Sequence, residues 1–123
     1  MSNYIPGSCN IGPSEIHRRY QTAIAGGVLY AISFAFLIAT NQSTTVRLVS
    51  FPPAILAAVG YIQAKNRFCF AYGLMGVFNF DKAGDVKKVK DPMDLKADRS
   101  NAAKILVKSF LLAAAMTAIV VLV

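Results

Sequence analysis

The chain has 123 residues, the length of one domain. Its 55% hydrophobic and 15% charged content departs from the roughly 45–50% and about 25% of soluble domains, which excludes an ordinary water-soluble fold and points to a membrane protein. The net charge of +7 does not imply nucleic acid: the basic residues flank apolar blocks, as on the cytoplasmic side of membrane proteins, and no nucleic-acid partner is expected.

Residues 1–21 read as a cytoplasmic lead-in. Its first part, "MSNYIPGSCNIG", is punctuated by Pro6, Gly7 and Gly12, and "PSEIHRRYQTA" then opens a helix. Gly12 or Ser14 suits the cap, and Pro13 and Glu15 suit the first turn. Arg18 and Arg19 are expected at headgroup level as interfacial anchors. No secretory signal is expected, because the apolar run begins only at residue 22 and is long for a signal.

The first crossing, residues 22–40, carries no charge. Along it Ala23, Gly27, Ala31, Ala35 and Ala39 recur every four residues, the spacing of a helix-packing face in lipid. The tight connection "NQSTT" leads to a second crossing, residues 46–64, flanked by the anchors Arg47, Lys65 and Arg67. Pro52 and Pro53 demand either a regular helix that begins there or a kink. Ala54, Ala57, Ala58 and Gly60 supply a second small-residue surface, so the two crossings are expected to form an antiparallel hairpin.

The stretch "RFCFAYGLMGVFNF", residues 67–80, is too short to span and reads as an interfacial or re-entrant apolar segment. Residues 81–103 form a basic cytoplasmic linker whose charged face is expected to be solvated. Asp91-Pro92-x-Asp94 has the form of a helix start, and that helix either continues through Ser100-Asn101 as one rod or breaks there. The third crossing, residues 104–123, contains Lys104 and Lys108 near its start. Of the thirteen basic residues only Arg47 then falls on the far side. The expected fold is an all-α membrane protein with three transmembrane helices, N-terminus in and C-terminus out, in the cell inner membrane.

Catalysis needs converging titratable groups, yet the chain offers one His, one Glu and five Asp, the last all between residues 81 and 98. No phosphate loop, Ser-His-Asp set or HExxH occurs, and no ionisable residue sits at mid-depth of a crossing. An enzyme is not expected. Cys69 and Cys9 form the candidate thiol site, both on the cytoplasmic side, where a stable disulfide is disfavoured. A reactive thiol near Arg or Lys competes with a buried, inert cysteine. Cys9, Cys69 and His17 lack paired ligand spacing, so neither metal nor other cofactor is expected.

Two stretches carry a resemblance. "NIGPSEIHRR", leading into Gly26-Gly27, and "FCFAYGLMGVFN" resemble the two signatures of the small YgaP-type inner-membrane domain of bacteria, with matches at Asn10, Gly12, Glu15, Arg19, Phe68, Cys69, Tyr72 and Gly76. The resemblance covers about residues 9–80; Phe70 stands where that family often has proline, and the basic linker and third crossing are additional. It implies helix hairpins that pack into dimers, with a hint of sulfur chemistry from members fused to a rhodanese. The functional expectation is a non-catalytic membrane protein that acts by helix packing. Its partners would be membrane lipids and either itself or the subunits of a larger membrane complex. The alternative is a thiol-dependent carrier of a small sulfur species.

Overall fold

The computed structural model describes residues 4–82 and 84–123. Helix α1 (Pro13–Ala39) starts after Gly12 with proline at its first position, where the missing N–H costs no hydrogen bond. It ends at Thr40 and Asn41, the latter in the left-handed region, and Ser43 caps the short α2 (Thr44–Arg47) by accepting from Val46 N at 3.4 Å. A 3₁₀ turn, Leu48–Ser50, leads into α3 (Phe51–Asn66). Pro52 and Pro53 therefore occupy the first turn of α3, just after the 3₁₀ turn, where a missing N–H leaves no bond within α3 unmade.

The segment expected at the interface resolves into α4 (Phe70–Met75) and strand β1 (Val77–Phe78). Strand β1 pairs antiparallel with β2 (Lys87–Lys88), Val77 opposite Lys88. This two-residue ladder is a small addition to a mostly helical fold, and it recruits part of the stretch read as linker. The rest of that stretch, from Pro92, belongs to α5 (Pro92–Leu122), a single 31-residue rod. Asp91 caps it by accepting from Met93 N at 2.9 Å.

Three helical stretches, of 27, 23 and 31 residues, are long and apolar enough to cross a membrane. At 1.5 Å per residue each exceeds the ~30 Å hydrocarbon thickness. They alternate in direction. Gly26 of α1 lies against Ala57 of α3, and Gly60 of α3 against Ala23 and the Arg19 carbonyl. Helix α5 runs back along α3: Phe68 and Ile62 meet Ala102 and Ile105 at one end, and Ala54 and Ala58 meet Ala113 further along. At the other end Arg47 Nη1 donates to Val120 O at 3.2 Å. Tyr30 OH donates to Met116 O at 2.8 Å and ties α1 to α5. The N-terminal segment and residues 67–91 thus share one end of the bundle, while the α1–α2 turn and the C-terminus share the other.

The hairpin does not pack through the four-residue ladder. Ala23 touches α3, but Ala31, Ala35 and Ala39 are exposed, and a Cβ on Gly27 would meet nothing within 4 Å. A step of four residues advances about 40° beyond a full turn, so a strict four-residue ladder winds away from a straight neighbour. The buried face instead runs through Gly26, Tyr30 and Leu37, the three- and four-residue mixture of an ordinary helix stripe. At Gly26 a Cβ would fall 2.8 Å from Ala57 Cα and collide with the Ala57 N as well, backbone atoms that cannot step aside.

Gly26→Ala is therefore expected to destabilise the hairpin by about 1–3 kcal/mol, the scale of core overpacking. Its neighbour Gly27→Ala should be neutral or stabilise by up to about 1 kcal/mol through reduced backbone entropy. Unfolding equilibria of the two variants in mixed micelles check the pair, and equal effects would contradict this register.

Candidate functional site

The polar chemistry of the molecule gathers at the end where the N-terminal segment meets residues 67–91. Its centre is Glu15, in the first turn of α1 and wholly buried. Oε1 accepts from Arg19 Nη1 at 3.0 Å and from Arg18 Nη1 at 3.4 Å. Oε2 accepts from the Tyr72 hydroxyl, from Asn79 Nδ2 at 2.9 Å and from Gly84 N at 3.0 Å. Every group aimed at the side chain is a donor, which is the environment of an ionised carboxylate.

Local backbone chemistry brings these donors together. Helix α3 ends in a Schellman arrangement: Arg67 adopts the left-handed conformation, Arg67 N donates to Ala64 O and Phe68 N to Gln63 O. The reversal drives Phe68 into the bundle, where it is fully buried, and sends the chain back toward α1. Cys69 provides no side-chain cap for α4; instead Gln63 Oε1, reaching from α3, accepts from Phe70 N at 3.0 Å. Gly76, in the left-handed region, ends α4, and its carbonyl accepts from Val89 N.

Asn10 laces the two stretches side by side. Its Oδ1 accepts from Cys69 N at 2.7 Å and its Nδ2 donates to Cys69 O at 3.1 Å. Its backbone N donates to Arg67 O, while its carbonyl accepts from Asn79 N at 2.9 Å. Gly12 N then donates to Asn79 O at 2.8 Å. Asn79 is fixed in turn, with Nδ2 donating to Lys82 O and Oδ1 accepting from Asp81 N.

Of the expected anchors, Arg18 is exposed, Lys65 lies exposed beside the Tyr61 ring, and Arg47 faces the α5 carbonyls at the far end. Arg19 differs. Its side chain is 15% exposed and turns inward, one nitrogen on Glu15 and Nη2 on Cys69 Sγ at 2.9 Å, with the guanidinium 5.7 Å from the Tyr72 ring centroid. A buried carboxylate attracts this arginine more strongly than a headgroup does, because the attraction acts in a medium of low dielectric.

A second buried carboxylate fastens the remainder. Asp98, on α5, accepts from Gly7 N at 2.7 Å and from the Tyr4 hydroxyl. The Tyr4 ring stacks on Phe78 with centroids 4.7 Å apart. The charged face of residues 91–99 is thus not wholly solvated, as the sequence suggests. Asp98 stands at the head of the inward stripe of α5, with Ala102, Ile105, Ser109 and Ala113 following at three- and four-residue steps. That spacing was the available signal. Asn79, Gly84 and Gln63 carried none, because their roles depend on where the chain reverses.

Burial raises the Tyr72 phenol above its ordinary value, and the hydrogen bond to Glu15 and that group's charge add to it. Burial likewise raises Tyr4, reinforced by Asp98. Cys9 is raised by burial, opposed by hydrogen bonding with the Ile11 backbone and by the Arg67 charge.

Of the eight matched positions, Asn10, Gly12, Glu15, Arg19, Cys69 and Tyr72 bond within this knot, whereas Phe68 packs against Ala102 and Ile105 and Gly76 lies beside Leu95. Both cysteines are free thiols, Cys69 at 3% exposure and Cys9 half-buried. Among the described residues no group of three His, Cys, Asp or Glu is placed to hold a metal. Chemically the arrangement is a set of donors saturating a carboxylate. It holds four chain segments together. Searches against family models, curated proteins and solved structures find no match to this chain.

Removing Arg19 should leave Glu15 with its strongest partner gone. Arg19→Met is expected to destabilise by about 3–5 kcal/mol, as broken buried ion pairs do. Arg18→Met, at an exposed side chain, should change stability by less than about 1 kcal/mol. Denaturation of both variants in the same detergent gives the comparison, and similar losses would mean that Glu15 does not depend on Arg19.

Proposed function

We propose that this chain is a non-catalytic, multi-pass protein of the bacterial inner membrane that works by helix packing. It associates with copies of itself or serves as a small subunit of a larger membrane assembly. The N-terminus and the polar knot face the cytoplasm, the side to which twelve of the thirteen basic residues then belong.

The observation that carries this reading is the unused face of α1. Ala31, Ala35 and Ala39 are exposed and Gly27 has open space beside it, so a small-residue surface remains outside the chain's own bundle. In lipid, helices gain no hydrophobic energy by meeting and associate where small side chains let backbones approach. The saturated knot supports the same reading, because every oxygen of Glu15 is engaged in holding structure.

A second reading has one observation in its favour. The contact between Arg19 Nη2 and Cys69 Sγ sets a cation on a sulfur, as a thiol-dependent carrier of a small sulfur species would need. The near-complete burial of that sulfur weighs against it.

The native mass after gentle extraction tests the proposal. A small multiple of 13.2 kDa, or co-purification with larger subunits, is expected, and Ala35→Leu should disrupt either association while the isolated chain stays folded. A single copy with no partner would overturn it. Loss of function in Cys69→Ser with the assembly intact would transfer the case to the thiol reading.

A further inference from the structure

Helix α5 presents two adjoining features on its outer side. An apolar groove of about 540 Å³ opens between α3, α4 and α5, lined by Ile55, Val59, Phe70, Val107 and Phe110. At Val107 it meets a shallower depression that includes Lys104 and Lys108, one turn apart. Both lysines are exposed, and the ion pairs among the described residues involve neither of them.

A third feature makes the groove more than a bare lipid-facing surface. Ser109 lines it, is 1% exposed, and its Oγ has no hydrogen-bond partner among the described residues. A buried hydroxyl without an acceptor is unfavourable, and in a helix it could have turned to a carbonyl of its own chain. Its Oγ is closed to solvent, on the stripe that faces the bundle, and reaches the groove only when the side chain turns toward it. An occupant with an acceptor at that depth would satisfy it.

We propose that this groove holds one anionic phospholipid, its phosphate on Lys104 and Lys108 and an acyl chain along Val59, Phe70 and Phe110. The order of groups along α5 suits such a molecule. Lys104 precedes Ser109 by five residues, about 7.5 Å along the axis. A phospholipid presents the same order with depth: phosphate outermost, ester carbonyls beneath it, hydrocarbon below. The ammonium groups extend toward the headgroup layer on flexible stems, and the Ser109 hydroxyl lies at the level of the carbonyls. A zwitterionic lipid could fill the same groove, but its own cation would oppose the two lysines. Charge complementarity therefore selects an anionic headgroup.

The test is native mass spectrometry of the full chain in non-ionic micelles, titrated with phosphatidylglycerol or with phosphatidylcholine. One phosphatidylglycerol per chain is expected to persist under conditions that strip phosphatidylcholine. The double variant Lys104→Ala/Lys108→Ala should weaken that retention roughly thirtyfold, on the electrostatic scale of two lysines at a membrane surface. Val107→Trp, at an exposed position between lysines and groove, should also reduce it, whereas Lys87→Ala/Lys88→Ala should not. Equal retention of the two lipids would overturn the proposal. An equal effect of the Lys87/Lys88 pair would do so too, by showing unspecific charge. So would full retention in Val107→Trp, which would leave the groove without a role.

Discussion

A carboxylate taken out of water must be surrounded by donors or it cannot remain charged, and Glu15 imposes that condition on the whole end of the bundle where the N-terminal segment packs. Its five donors come from separate parts of the chain: Arg18 and Arg19 on α1, Tyr72 on α4, Asn79 after β1, and the Gly84 backbone. Apart from the exposed Arg18, none of these can move far without leaving the buried carboxylate short of a donor. The reversal at Arg67, the lacing by Asn10 and the short β1–β2 ladder are what bring the donors within reach. The knot is thus a consequence of one residue that a reader of the sequence would first take for an ordinary first-turn acid.

The rest of the molecule is held by a different kind of force. Between α1 and α3 the contact is one of shape, glycine against alanine backbone, because in lipid there is no water to drive apolar faces together. Helix α5 joins the two regimes. Its head is tied to the N-terminal segment through Asp98, its middle packs alanine on alanine against α3, and its tail receives Arg47. A protein built in this way has its polar groups committed to structure at one end and its free surface along the membrane-facing helices. The proposed association would use those helices.

Much of this was legible before any coordinates. Apolar blocks of spanning length mark three helices, Asp91-Pro92 marks the start of α5, and the proline pair leaves a choice between a helix start and a kink, which the structure resolves as the first turn of α3. The ladder at Ala23, Gly27, Ala31, Ala35 and Ala39 was legible as a pattern but not as a partner. Recurrence every four residues says that a face is smooth, and only packing decides that the hairpin uses Gly26 instead. The knot was half legible. The two signature stretches contain Glu15, Arg19 and Tyr72, yet nothing in their spacing says that Glu15 is buried or that Arg19 turns inward from the headgroups. Asn79 closes the second stretch without being one of its matched positions, and Asp98 lies outside both. Their roles follow from chain reversals at Arg67 and Gly76, which involve long-range geometry and leave little trace in composition.

The central claim is that the Glu15 carboxylate holds this end of the molecule closed, and Cys69 is a built-in reporter of that closure because its sulfur lies beneath Arg19. Maleimide labelling of Cys69 in native membranes, with Cys9 replaced by serine, would be compared between the otherwise native chain and Glu15→Gln. The account predicts a protected thiol in the first and rapid labelling in the second, as the donors lose the charge that gathers them. Equal labelling of Cys69 in both would contradict it.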